Sequence, residues 1–429
     1  VVPRERPSQV AEQALVEATT GAAEGLDDDV RDSLDVVVDI LLGHEVGSAG
    51  RTHEDARAEA IIRFQQVCGA VMAKGVEDTT FYRYTVLTSA TEVGGNPLRA
   101  SLTPDELTGW TQRISSLWPV TMTCLSTHDT KRGEDVRASI SVLSEWATEW
   151  RSLMTKLRSR HASDRPWDID GQIENLMWQT IVGTWTDDGP IESERLVAYL
   201  QKAAREQKSW TTWTNPNEEA EEALYSYART ILSTPETLAD CAEAYQRTAA
   251  SRRVATLSQK VLGLTLLGVA DNYQGQEVLQ NSLVDPDNRR AVDYEELNAI
   301  LDDLDSRETL PARASLNQEK LWVTSRILRL RRERPATFAS TRAGFEPLPV
   351  TTGHAYAFTR TLDNQPDVVV LVQRLPHALN NVGGFGNHSV VLPKGRWTDT
   401  LTGAVVEGGS ALLAELFGQL PVAVLVRSA

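Results

Sequence analysis

One stretch limits the architectures open to this chain more than any other. Val120-Thr121-Met122-Thr123-Cys124-Leu125 runs directly into Ser126-Thr127-His128-Asp129-Thr130-Lys131-Arg132-Gly133-Glu134-Asp135-Val136-Arg137. The first six residues are short, partly β-branched and apolar at every second position, which reads as a strand with little exposure. Val136 and Ala138 through Trp146 read as a helix. Between them an imidazole, several carboxylates and several cations crowd together. A polar cluster at the carboxyl end of a strand, ahead of a helix, is where α/β folds place their chemistry.

The cluster itself reads in three ways. It can be a buried polar pair gripping a hydroxylated ligand, with Asp129 kept ionised beside Lys131 or Arg132 and His128 donating or accepting one further bond. It can be a helix N-terminus, with Thr127 or Asp129 as cap and Glu134 and Asp135 favourable near the first turn. It can be a His-Asp metal pair, which needs further ligands at set places. His44 and His53 precede it, but at no ligand spacing.

The 429 residues suffice for two or three domains with a sizeable core. A net charge of −16 disfavours nucleic acid and anionic membrane as partners and is compatible with a neutral polyol. Cys68, Cys124 and Cys241 are far apart and odd in number, and read as reduced, buried thiols of a cytoplasmic protein. No apolar run reaches the ~18 residues of a membrane span, and Val1-Val2-Pro3-Arg4 begins no signal peptide. No metal or cofactor is expected. The first residue is not Met, so the expectation is a piece of something longer.

Residues 9 to 67 read as helices, broken at Gly47-Ser48-Ala49-Gly50. Gly69-Ala70-Val71-Met72-Ala73 is a strand candidate, and Lys74-Gly75-Val76-Glu77-Asp78-Thr79 is a charged loop at its end, either pocket lining or a solvated turn. Phe81, Tyr82 and Tyr84 suggest a packed aromatic cluster. Thr103-Pro104-Asp105-Glu106 starts a helix with a capping box. From about 139 to 255 the chain reads as helical and rich in tryptophan, with Asp168 or Asp170, Asn217 and Pro235 near helix starts. Its tryptophans read as core, and Lys202, Arg205 and Lys208 as an exposed face. A helix from Val261 leads into a strand near Val269, with Tyr273, Gly275 and Glu277 at its end. Asp285-Pro286-Asp287-Asn288-Arg289-Arg290 is either a ligand loop or an Asx-turn with surface arginines. Ser315 to Gln318 is a second capping box, and Arg334-Pro335 ends that helix. After about 345 the period changes to that of strands, with turns at Asp363 to Asp367, Gly383-Gly384 and Thr402-Gly403.

Three of these stretches carry a resemblance. Met72 through Tyr84, residues 126 to 137, and Tyr273-Gln274-Gly275-Gln276-Glu277 with Leu283 through Arg290 resemble, in this order along the chain, motifs of the maltooligosyltrehalose synthases. Those are members of the α-amylase superfamily, glycoside hydrolase family 13. The likeness runs from about Phe64 to the C-terminus. It implies an α/β fold: the C-terminal part of a (β/α)8 barrel with large helical insertions, followed by an antiparallel β-sandwich. The segments would be a helical lid at 1–68, the sixth and seventh strands at 69–138, an inserted helical subdomain at 139–258, the eighth strand and last helix at 259–344, and the sandwich at 345–429.

The resemblance also implies the chemistry. The family, an isomerase of trehalose biosynthesis, moves the reducing-end glucose of a maltooligosaccharide from an α-1,4 to an α,α-1,1 bond. Asp129 matches the catalytic carboxylate of the seventh strand. His128, Lys131, Arg132, Lys74, Glu77, Asp78, Tyr273, Asp287 and Arg290 match or border substrate-binding positions. Ala291 stands where the family commonly has Pro, and Asn272 where it has an aromatic. The nucleophilic Asp and the acid/base Glu have no counterpart here. The expected partner is therefore the N-terminal half of the enzyme, as a second chain or a lost segment, without which this chain is inactive. The alternatives are another hydrolase or glucanotransferase of the superfamily and a non-catalytic glucan-binding fragment.

Overall fold

The computed structural model describes residues 9–44, 46–47, 54–99, 101–266 and 268–428. Val1-Val2-Pro3-Arg4, Ser48-Ala49-Gly50 and His53 lie outside the described residues. The chain divides into two compact units, Val1–Asp78 and Thr79–Ala429. Among the described residues no helix is long and apolar enough to cross a membrane.

In the first unit, α1 (Gln9–Ala22), α2 (Asp28–Leu41) and α3 (Glu54–Met72) are helices, as their spacing suggests. The strand expected at Gly69–Ala73 does not form. Its residues complete α3, and Ala73–Thr80 continues as π-helical turns. Five apolar residues cannot distinguish a strand from a helix end by period, and among the described residues no strand pairs with them.

The second unit opens on a short helix with Phe81 and Tyr82 buried. Then comes α4 (Pro104–Leu117), where Thr103 and Glu106 form the expected reciprocal capping box. Strand β1 is Met122–Cys124, and α5 is Glu134–Ser141. Helices α6 (Ala147–Arg160), α7 (Gly171–Gly183), α8 (Ser193–Gln207) and α9 (Glu218–Ser233) follow. Asp170, not Asp168, caps α7, its side chain accepting from the Ile173 N–H. Every residue of α7 from Leu176 to Gly183 is buried, as befits a helix apolar almost all round. It approaches α5 so closely that a Cβ on Gly183 would lie 2.6 Å from Ile140. Trp178 and Trp185 join this core and Trp146 is buried, whereas Trp167 is 91 % exposed.

Helix α10 (Pro235–Thr265) is a single helix of 31 residues. It crosses position 258, where the sequence suggests a boundary, because nothing between Pro235 and Gly263 breaks it. Strand β2 (Val269–Asp271) begins just beyond. Two further helices, α11 (Tyr294–Asp305) and α12 (Leu316–Glu333), complete this part, the latter capped by the Ser315–Gln318 box.

The remainder is one six-stranded antiparallel sheet of β3 (Ala343–Pro347), β4 (Ala355–Leu362), β5 (Gln365–Gln373), β6 (Ser389–Asp399), β7 (Val405–Leu412) and β8 (Val422–Arg427). Its order is β3-β4-β5-β8-β6-β7. Asp363 and Asn364 have φ of +50° and +63°, the two left-handed residues that a tight hairpin needs. Tyr356, Phe358, Val368 and Val370 face α10 and α12. Their alternates Ala355, Ala357, Val369 and Leu371 join a second core with Val390, Leu392 and Trp397 of β6. The expected sandwich is thus one hydrogen-bonded sheet turned back over its own face, because β8 pairs with both β5 and β6.

Candidate active site

Strands β1 and β2 pair in parallel, with Met122 opposite Val269, Thr123 opposite Ala270 and Cys124 opposite Asp271. The approach is tight. Gly268 has φ of +34°, and a Cβ there would fall 2.0 Å from the Thr121 carbonyl oxygen. The loops leaving the carboxyl ends of both strands are then stitched together. Arg132 bridges Leu283, the Gly133 N–H donates to the Ser282 carbonyl at 2.8 Å, and the Asn288 amide donates to the His128 carbonyl at 2.8 Å. Two of the three resembling stretches are therefore one structural unit.

Within Ser126–Val136 only His128 and Asp129 are exposed, and Thr127 is half-buried. Lys131, Arg132, Glu134 and Asp135 are all buried. The buried His-Asp pair expected from the sequence is thus inverted: the pair is open and the flanking charges are inside. Of the capping alternative, Glu134 and Asp135 do stand in the first turn of α5, but neither Thr127 nor Asp129 is its cap. Gly133 is the N-cap of α5, and Ser126 accepts from the Glu134 N–H at 3.0 Å. Thr127 and Thr130 shape the loop, the Thr127 hydroxyl accepting from the Asp129 N–H at 3.1 Å and the Thr130 hydroxyl donating to the Thr127 carbonyl at 2.8 Å.

Arg132 does not accompany Asp129. Its guanidinium donates to the Thr88 and Thr91 carbonyls at 3.0 and 3.2 Å and to the Tyr199 hydroxyl at 3.1 Å. Lys131 lies over the Tyr82 ring, 5.6 Å from its centroid. In the other direction Glu92 reaches the motif, accepting from the Lys131 and Arg132 backbone N–H groups at 2.7 and 3.2 Å and from Arg137 at 3.3 Å. No local signal marks Glu92, since its partners lie in a segment 39 residues away.

Behind the motif lies a buried four-charge network. Lys320 of α12 stands 2.7 Å from Asp135 and 2.9 Å from Glu134, and Lys260 of α10 stands 2.8 Å from Glu134. Burial raises the Glu134 carboxyl, but Lys320 and Lys260 outweigh it and hold its pKa below the usual value. Burial tends to lower Lys320, and Asp135 and Glu134 more than reverse it. Lys260 also donates to the Asn272 side chain, so Asn272 supports this network where a phenylalanine or tryptophan would offer no acceptor.

The loop after β2 is held as firmly. Asp287 takes Arg195 of α8 in a two-pronged pair at 2.8 and 2.9 Å, and accepts from the Leu283 N–H at 2.7 Å. Burial pushes its pKa up, but Arg195 and the Leu283 N–H prevail and keep it below the ordinary aspartate value. Arg290 is more open. It donates to the Asp287 carbonyl at 3.1 Å and the Asn281 side chain at 3.2 Å. Lys202 donates to the Asp285 carbonyl at 2.7 Å, and Arg205 forms a two-pronged pair with Glu221, so these cations are not the solvated face expected. Tyr273 is half-buried, its carbonyl accepting from the Gln276 N–H at 3.0 Å.

Lys74, Glu77 and Asp78 belong to the first unit, on the π-helical turns, where Lys74 pairs with Asp78. His44 pairs with Asp39 at 2.9 Å in that unit. Cys68 and Cys124 are exposed and only Cys241 is buried, against the expectation for all three. Cys124 is open because it lies on β1, whose sole partner is β2 among the described residues. A cavity of about 700 Å³ lies beside β1, lined by Thr123, Cys124, Leu125, Trp110 and Leu262. Neither His128 nor Asp129 lines it, and its mostly apolar walls suit packing rather than chemistry.

Adjacent parallel strands, polar loops stitched at their carboxyl ends and helices behind them make an α/β arrangement, the class of fold that commonly binds its ligands at the carboxyl ends of strands. Comparison with known proteins gives the particular relationship: the chain is homologous to the maltooligosyltrehalose synthases. A curated Mycobacterium tuberculosis protein named as a maltooligosyl trehalose synthase is 37% identical over 376 residues, covering 86% of this chain and 46% of that protein. The solved maltooligosyltrehalose synthase of Arthrobacter ramosus superposes with a TM-score of 0.83 at 35% identity, covering 97% of this chain and 51% of that one. A solved glycosyltrehalose synthase gives 0.72 at 27% identity, over 98% and 53% of the two chains. This chain therefore spans about half the length of the relatives it matches. No family model matches it.

Proposed function

We propose that this chain supplies the C-terminal half of a maltooligosyltrehalose synthase, a (1→4)-α-D-glucan 1-α-D-glucosylmutase, with β1 and β2 as the seventh and eighth strands of its (β/α)8 barrel. The observation that carries the reading is the inverted burial of residues 126 to 136. Four charged side chains are buried to hold the loop, and His128 and Asp129 alone stand open at a strand end. Burying charges is costly unless they are paired, so a loop built this way holds its two open side chains in a defined place.

In this reading the reaction is a retaining one, with two close carboxylates, a glycosyl-enzyme and an oxocarbenium-like transition state. The nucleophilic Asp and the acid/base Glu come from the rest of the enzyme. The α-1,4 bond breaks, the freed glucose turns in place, and its anomeric hydroxyl attacks to form the α,α-1,1 bond. Asp129 accepts hydrogen bonds from the 2- and 3-hydroxyls of the transferred sugar, and these tighten as positive charge develops at the anomeric carbon. His128 bonds the same sugar. Tyr273 and Arg290 border the site, and Asp287, already bound by Arg195, acts by shaping the loop that carries Arg290. Lys74, Glu77 and Asp78 enter as substrate-binding positions on the family resemblance. Lys131 and Arg132 serve as buried supports.

The test is Asp129→Asn in the complete enzyme acting on a maltooligosaccharide, with the formation of the non-reducing end followed. The expected loss is roughly 3–5 kcal/mol of transition-state stabilisation, about two to four decades in rate. Turnover near the unsubstituted rate removes Asp129 from the mechanism. Shorter reducing sugars as the main product of the unsubstituted enzyme would favour a hydrolase instead.

A further inference from the structure

We infer that Glu92 and Arg132 form a reciprocal clamp that sets the position of the Asp129 carboxylate, making both of them positioning residues for the reaction proposed above, on whose assignment of Asp129 this inference rests. Both oxygens of Glu92 are occupied. One accepts from the N–H groups of Lys131 and Val93 at 2.7 and 2.9 Å, the other from the Arg132 N–H and Arg137 at 3.2 and 3.3 Å. The Glu92 side chain is 13% exposed, so these bonds face little competition from water.

The return half of the clamp runs the other way. The Arg132 guanidinium, wholly buried, fixes the carbonyls of Thr88 and Thr91, the turn from which Glu92 projects. Thr88 is pinned in its turn by Gln179 of α7, which accepts from its N–H at 2.8 Å and its hydroxyl at 3.0 Å. The anchored amides begin two residues after Asp129, and the Asn288 amide holds the His128 carbonyl just before it. Asp129 thus sits between two fixed points on a short span, with its own N–H taken by Thr127. Side chains aimed at a sugar must be held to a fraction of an ångström, and anchoring the backbone on both flanks meets that need.

A residue that merely stabilises the fold and one that positions Asp129 make different predictions. In the unsubstituted chain the Lys131 and Arg132 amides should exchange with solvent at least 100-fold slower than an unprotected loop, although the loop carrying them is open at His128 and Asp129. In the complete enzyme, Glu92→Gln puts an amide N–H₂ where acceptors are needed. It should lower kcat about 30- to 100-fold with KM changed less than threefold, at an unaltered folded fraction. The double variant Glu92→Gln/Asp129→Asn should be no slower than Asp129→Asn alone, because a misplaced group already removed cannot be misplaced again.

Exchange of both amides at the unprotected rate overturns the clamp and needs no variant that folds. So does a loss in Glu92→Gln that simply multiplies with that of Asp129→Asn. Full activity of Asp129→Asn with both amides protected refutes the assignment of Asp129 itself, and with it the positioning role. The two failures are therefore distinguishable.

Discussion

Lys320→Met tests the buried charge network behind the motif most directly. Lys320 has no exposed surface, and its ammonium meets Asp135 at 2.7 Å, Glu134 at 2.9 Å and the Val278 carbonyl at 3.0 Å. Methionine keeps much of the unbranched stem and removes the charge. Two buried carboxylates are then left to share Lys260, which touches Glu134 at 2.8 Å. Removing one partner of a buried pair costs roughly 3–5 kcal/mol, so the variant should be about 4 kcal/mol less stable at pH 8.

The pH dependence carries the sharper prediction. Burial, with Glu134 adding repulsion against the pull of Lys320, already raises the Asp135 pKa in the native fold. Without Lys320 it rises further. A carboxyl with a folded pKa above its unfolded value of about 3.9 is unpenalised below that value. Above it, the penalty grows by about 1.4 kcal/mol per pH unit until the folded pKa is reached. Glu134 has a lowered pKa, so its contribution is present above an unfolded value of about 4.3 and is lost as pH falls through the folded one. Losing Lys320 weakens that contribution as well. The Asp135 penalty, which grows as pH rises, should therefore make the deficit smaller at pH 5 than at pH 8.

Urea unfolding followed by tryptophan fluorescence is the assay. All 11 tryptophans lie between Trp110 and Trp397, so the signal reports only the larger unit. A deficit equal at the two pH values, or below ~1 kcal/mol at pH 8, refutes the reasoning, since surface-like pairs contribute no more than that. Adding Asp135→Asn to Lys320→Met should recover most of the loss by discharging the stranded carboxyl.

Two further outcomes follow from the packing. Arg195→Met strips Asp287 of its two-pronged partner and should cost about 2 kcal/mol, while an NMR titration of Asp287 shows its pKa rising; an unmoved pKa would mean that the Leu283 N–H and Arg290 control it without Arg195. Trp397→Ala should cost about 3–5 kcal/mol in urea melts, since the ring is wholly buried between sheet faces. Trp167→Ala, at a 91 % exposed position, should stay within ~0.5 kcal/mol, and equal losses at both sites would contradict the burial described.

Local signals were legible wherever one residue acts on its near neighbours. The capping boxes of Thr103 and Ser315 form, Asn217 caps α9, and the strand before His128 appears as β1. The hairpin at Asp363-Asn364 adopts the backbone its turn residues favour. Gly69 to Ala73 failed because an apolar run of that length satisfies either period, and α3 simply extends through it. The strands after 345 were read as a sandwich from their alternation, but alternation says only that faces differ. That β8 pairs on both sides, making one sheet, depends on strands far apart in the chain.

The order of residues alone determined the succession of strand, polar cluster and helix, and with it the motif that carries His128 and Asp129. It did so because turn chemistry, caps and side-chain periodicity act over three or four residues. Which charges turn inward was decided by tertiary structure. Glu92 meets Lys131 across 39 residues, Arg195 meets Asp287 across 92, and Lys320 meets Asp135 across 185. An ionised side chain can be buried only where an opposite charge or a polar group waits for it, and the chain must already be folded before that partner is near.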